Sequence, residues 1–168
     1  MKKKLLLICL TLISIYATAQ KEAEKATPSP SPIVAYGESI TLEAAKKIIL
    51  AGQAYAIGKQ WTVVIAIVDT GGNLVLLEKM DNTQIGSIEV AMGKAKTANN
   101  FKRPTKVFED ALASGGVGLR VLSLPGALPI EGGEPILYNG KIIGGIGVSG
   151  MSSAQDEEVV KAGLAALK

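Results

Sequence analysis

The hexapeptide Gly145-Ile146-Gly147-Val148-Ser149-Gly150 has the spacing GxGxxG, and it stands 18 residues before the end of a 168-residue chain. A dinucleotide cradle needs such glycines after the first strand of a βαβ unit, with a second parallel strand and an acidic residue about 20 positions further on. Between Gly150 and Lys168 there is room for one closing helix. The run also lacks the Gly-Lys-Ser/Thr ending of a phosphate-binding loop. Two uses remain for these glycines: they let a helix pack closely on a sheet, or they leave a bare shelf where a flat ligand lies.

The other end of the chain carries an address. Lys2 to Lys4, the apolar run Leu5 to Ile15 and Ala17-Thr18-Ala19 follow the order of a secretory signal peptide, with cleavage expected before Gln20. The apolar run is shorter than the roughly 20 residues of a membrane span, so no stable span is expected after cleavage. Residues 20–38 then form a charged and Pro-rich leader, with Thr27-Pro28-Ser29-Pro30-Ser31-Pro32 unable to enter a helix interior or a ladder. Residues 39–168 have the size of one domain with one core.

Removal of the signal takes three of the 18 basic residues and the lone Cys9, so the remaining basic side chains balance the 15 acidic ones. No excess of positive charge and few aromatics are left for a nucleic-acid surface. Without cysteine and histidine, the usual general base, thiolate nucleophile and commonest zinc ligands are missing.

Along the domain, Thr41 is placed to cap a helix with Leu42, Ala45, Ile49, Gly52 and Ala56 on its inner stripe. The β-branched run ending at Val68, the turn formers Asp69 to Asn73 and the apolar residues from Leu74 predict a hairpin. A second helix is expected from Ile85 to Asn100, with Ile85, Ile88, Met92, Ala95 and Ala98 as its stripe. Pro104 ends it and Thr105 starts a short helix through Ala113. Leu124 to Glu134 reads as a bent connection. Pro135 to Tyr138 and Lys141 to Ser149 are strands joined by Asn139-Gly140, and Ser152 or Ser153 caps a final helix through about Leu167. Hairpins flanking helices predict an α+β fold, an antiparallel sheet covered by helices.

Several groups offer chemistry. Glu78 and Asp81 are three apart near a strand end and can offer oxygen ligands to a hard or ferric ion, or can be a solvated turn. Asp156, Glu157 and Glu158 complement the dipole of the last helix, each by roughly 0.3 to 1 kcal/mol. Lys94, Lys96, Lys102, Arg103 and Lys106 form the dense basic stretch, either receiving carboxylates or simply solvated near a helix C-terminus.

Taken together and in order, Val68-Asp69-Thr70-Gly71-Gly72-Asn73-Leu74, Met80-Asp81, Gly93-Lys94-Ala95-Lys96-Thr97-Ala98, Arg103-Pro104-Thr105, Leu124-Pro125-Gly126 and the late glycines with Gln155-Asp156 resemble the GlcG/HbpS family of haem-binding proteins. This is also called the haem-degrading domain family, and is related to the C-terminal domain of some cobalamin adenosyltransferases. The resemblance runs from about Ile40 to Leu167. It implies a profilin-like arrangement around a five-stranded antiparallel sheet, assembly into homo-oligomers, and binding of haem or a related tetrapyrrole. Secreted members of such a family act as haem or iron sensors and scavengers, and the signal peptide favours that periplasmic or secreted branch. The Arg103-Pro104-Thr105 corner is implied as one wall of the site, with Arg103 or Lys106 pairing with a propionate and Met92, Gly145 and Gly147 beside the ligand.

A chain without histidine must ligate haem iron otherwise. Methionine and tyrosine remain among the common ligands, which leaves Met80, Met92, Met151, Tyr36, Tyr55 and Tyr138, with the Thr105 hydroxyl as a more labile option. Such a site holds haem loosely, which suits transfer or sensing. Two other functions compete. One is an enzyme acting on haem or on a small carboxylate such as a 2-hydroxy acid, with Asp69, Glu78, Asp81 and Tyr138 as the proton carriers available. The other is a non-enzymatic oligomeric interaction module.

Overall fold

The computed structural model describes residues 34–167; the expected signal peptide and the Pro-rich run of the leader lie outside the described residues. Ala35 to Gly37 already run beside a strand, with the Ile142 N–H donating to the Ala35 carbonyl (2.9 Å) and the Gly37 N–H to the Ile142 carbonyl (2.8 Å).

Helix α1 spans Leu42–Gly58, and the Thr41 side chain caps it by accepting from the Ala44 N–H. Its inner stripe is Ala45, Ile48, Ile49, Gly52 and Ala56. Leu42, expected on that stripe, is half exposed in the first turn. Strands β1 (Val64–Val68) and β2 (Leu74–Lys79) form the first hairpin. Its turn is tied by Asp69 Oδ1, which accepts from the N–H groups of Gly71 and Asn73, both at 2.8 Å. The bond from Asn73 is the largest of the influences holding the Asp69 carboxyl below its usual range.

Helix α2 (Ser87–Phe101) starts after Ile85, which lies outside it and is 84% exposed. It ends at Lys102 in the left-handed conformation, and Pro104 leads directly into α3 (Thr105–Ala113). A 3-10 helix, Gly116–Ser123, precedes the connection to β3 (Gly133–Tyr138). Asn139 and Gly140 both have positive φ, the requirement of the two-residue turn their sequence predicted, and deliver the chain into β4 (Lys141–Ser149). Helix α4 (Ser153–Leu164) opens with a reciprocal capping box between Ser152 and Gln155.

The sheet has the order β2-β1-β4-β3 and its strand pairs are antiparallel. It has four strands rather than the expected five. The connection before β3 does not supply another, because Pro125 and Pro129 remove donors and Gly126 and Gly132 take positive φ. A single parallel bridge, Tyr36 to Ile142, is the additional pairing. Helices α1 and α4 bury Ile48, Ile49, Val159 and Val160 against Ile65, Ile67, Ile146 and Val148 of the sheet. Burial of each such side chain contributes about 1.5–3 kcal/mol. On the opposite face α2 packs Ala91 over Val64 and Ala66, with Leu77, Ile88 and Met92 at the margin.

Candidate functional site

The late glycines are covered by a helix. A Cβ on Gly145 would collide with the Ala95 carbonyl oxygen, and one on Gly147 with that of Ala91, so α2 lies backbone against backbone on β4. Gly133 of β3 meets the Lys94 carbonyl in the same way, at 2.7 Å from where its Cβ would be. Of the two uses open to these glycines, close helix packing is the one the structure displays, and the space over Gly145 and Gly147 is taken by α2. Met92, on that helix, is partly buried against the Val64–Ala66–Ala91 cluster.

The Arg103-Pro104-Thr105 corner divides in two. Thr105 is fully buried, and its hydroxyl accepts from the Gly133 N–H (2.9 Å) and donates to the Gly133 carbonyl (3.3 Å). This fastens α3 to β3. Arg103 is exposed: its Nε donates to the Phe101 carbonyl and its guanidinium lies 5.7 Å from the Phe108 ring centroid. Lys106 pairs with Asp110 one turn along α3, which raises its pKa. Arg103 and Lys106 are therefore cations on the surface beside a buried threonine.

Lys94 is no solvated cation. It is 1% exposed, and its ammonium reaches both Asp156 Oδ2 and the Val148 carbonyl at 2.8 Å. Asp156 in turn accepts from the Met151 N–H through Oδ1. Burial raises the Asp156 pKa, opposed by the charge of Lys94. The carboxylate expected merely to complement a helix dipole thus joins α4 to α2 at the end of β4. Its neighbour Glu157 is also buried and pairs with Lys161 at 3.4 Å, and the Glu134 carboxyl of β3 is pushed up to about 8, first by burial and then by the charge of Glu157. The visible signal for Lys94 was its position between Ala91 and Ala95 on a small-residue face. Nothing in the spacing announced Glu134.

Glu78 and Asp81 lie at the end of β2 and in the turn that follows it. Glu78 accepts from Gln53 of α1 at 2.8 Å while Asp81 sits exposed in a turn. No group of three or more His, Cys, Asp or Glu suited to a metal occurs among the described residues.

The proposed iron ligands are scattered. Tyr36 donates to the Asn99 carbonyl at 2.7 Å with Lys102 over its ring, and Tyr55 donates to Glu158 at 2.6 Å. Met80 packs against the main core. Tyr138 alone among the named ligands lines the cleft where the β3–β4 hairpin meets the entry to α1 and the last residues of the chain. This cleft measures about 620 Å³, within the range of small-molecule pockets. Ile40, Ala44, Ile143 and Leu167 supply apolar walls, Lys47 and Lys141 supply cations, and Glu38 one opposing charge. Lys47 bonds Glu43 at 2.8 Å with both side chains exposed. A phenol, two ammonium groups and apolar walls fit the chemistry of a haem, which needs an iron ligand, partners for two carboxylates and cover for an apolar ring.

The family described as "Haem degrading protein HbpS-like" matches residues 40–165. Escherichia coli Protein GlcG is 38% identical over 110 residues, covering 66% of this chain and 81% of the relative. A Streptomyces reticuli HbpS double mutant superposes with a TM-score of 0.72 at 32% identity, covering 84% of this chain and 99% of the other. The PduOC:heme complex superposes with a TM-score of 0.69 at 28% identity, covering 76% and 94%.

Proposed function

The chain belongs to the HbpS-like family of haem degrading proteins, and from that premise we propose that it binds haem or a related tetrapyrrole outside the cytoplasm, in haem or iron sensing or scavenging. The observation that carries this reading is the match along most of the domain to PduOC, a chain solved as a haem complex. The secretory character of residues 1–19 supports the location. Loose retention is the expected mode, since neither histidine nor cysteine ligation is open to residues 20–168.

When bound, haem supplies a redox-active iron and a chromophore. The chain's own part is to cover the ring, pair with its carboxylates and present an oxygen or sulfur ligand to the iron. Titration of haemin into the full chain tests this through a saturable Soret change; an unsaturable, linear response at several pH values contradicts it.

The family's description favours a second reading, breakdown of the bound tetrapyrrole. Incubation of the haem-loaded chain with a reductant and oxygen gives a bilin-like product on that reading, and unchanged haem otherwise.

Assembly into a homo-oligomer is part of the proposal. Val107, Val117, Leu119, Leu122, Leu124 and Ile130, from α3 to the connection before β3, are at least 37% exposed, a concentration of apolar surface that association between copies would cover.

A further inference from the structure

We propose that the tetrapyrrole occupies the cleft between the β3–β4 hairpin and the entry to α1, with Tyr138 as the iron ligand and Lys141 and Lys47 as partners of its carboxylates. This rests on the haem-binding reading above and says where on the chain it is carried out. No sequence motif marks these three residues as a group, since they come from a strand end, the following strand and the second turn of a helix.

Four features point to the cleft. First, its volume of about 620 Å³ is that of a ligand pocket, whereas the bare glycines of β4 are sealed beneath α2. Second, its polar groups suit the ligand. Tyr138 is 53% exposed, so the phenol reaches an iron without disrupting the core, and a phenolate is an established type of haem ligand. Third, Lys141 follows Tyr138 across a two-residue turn held by Asn139 and Gly140 at positive φ, and the two residues are paired across the ladder. Their side chains therefore leave the same face of the hairpin, and a ligand atom bound to one lies within reach of the other. Fourth, Lys47 of α1 lines the same cleft, together with Ile40, Ala44, Ile143 and Leu167, apolar side chains that would cover the ring. The Glu43 partner of Lys47 is an exposed i,i+4 neighbour, a solvent-screened pairing easily exchanged for a carboxylate of the ligand.

The other candidate ligands lack this combination. Thr105 spends its hydroxyl on Gly133, Tyr36 on Asn99 and Tyr55 on Glu158, and Met92 is set into the α2 side of the sheet.

The test compares haemin titrations of the full chain with those of Tyr138→Phe, Lys141→Glu and Met92→Leu, following the Soret band and the visible charge-transfer absorption of ferric haem. The wild-type chain is expected to show a phenolate-type ferric spectrum. In Tyr138→Phe this spectrum disappears and affinity falls about tenfold or more, and Lys141→Glu keeps the spectrum while weakening binding by about tenfold. Met92→Leu matches the wild type. Circular dichroism confirms that each variant is folded, as expected for the half-exposed Tyr138 and exposed Lys141. If the wild type binds haemin and Tyr138→Phe gives the same spectrum and affinity, the cleft assignment is wrong while haem binding stands. If the wild type shows no saturable binding, the haem reading itself fails, and the cleft assignment with it.

Discussion

Lys94 brings a full positive charge into the interior, where Asp156 and the Val148 carbonyl receive it. Loss of one partner strands the other in low dielectric. Lys94→Ala is expected to cost about 3–5 kcal/mol in urea denaturation, whereas Lys94→Met combined with Asp156→Leu costs much less, because no unpaired charge then remains. Glu134 behaves differently. Its folded pKa of about 8 exceeds the ordinary value of 4.5, so the folded chain holds a proton that the unfolded chain releases. The stability associated with that proton is fully present below about pH 4.5 and is lost as pH rises to about 8. Glu134→Gln should therefore denature at a urea concentration close to the wild type's at pH 5 and at a higher one at pH 9. Equal pH dependence in the two proteins would show that the Glu134 proton is not held.

At the scale of elements, the interface of α2 with β4 is set by missing side chains. Gly147→Ala places a methyl group into the Ala91 carbonyl, and the helix must lift or tilt; a loss of about 3 kcal/mol or more is expected in thermal or urea unfolding. These elements were legible because their signals are local. The Thr41 and Ser152 caps, the Asn139-Gly140 turn and the Pro104 break each act within a few residues. Strand β3 begins two residues before its apolar run because Gly133 and Glu134 pair with Gly147 and Ile146 of β4, and Gly133 is also fastened by the Thr105 hydroxyl, non-local contacts that no local pattern contains. The extra residue of helix stripe at Ile85 failed for the opposite reason: the apolar period continues one step past Gly86, the N-cap at which the helix begins.

For the whole molecule, sequence periodicity conveyed the class, a helix-covered antiparallel sheet, but not the strand count, which depends on pairings between distant segments. The proposed site was less legible still. Tyr138 was readable as a candidate ligand, while Lys47 and Lys141 gained meaning only when α1 and the β3–β4 hairpin came together around one cleft. Buried Thr105 shows the converse, a residue of apparent ligand chemistry used as a fastener. The exposed apolar surface around the 3-10 helix, with Val117 at 76% and Leu122 at 68%, belongs to this scale too. Light scattering on the full chain should give a mass above that of one 17.4 kDa chain, and Leu119→Asp with Leu122→Asp should lower it; a monomer before substitution would leave that surface without its proposed role.

Equilibrium titration of haemin into the full chain, followed at the Soret band, tests the central claim most directly. Saturation at about one haemin per chain, with the visible absorption of a phenolate-ligated ferric iron, is the predicted result. A linear rise with no saturation, indistinguishable from haemin added to buffer, would contradict it.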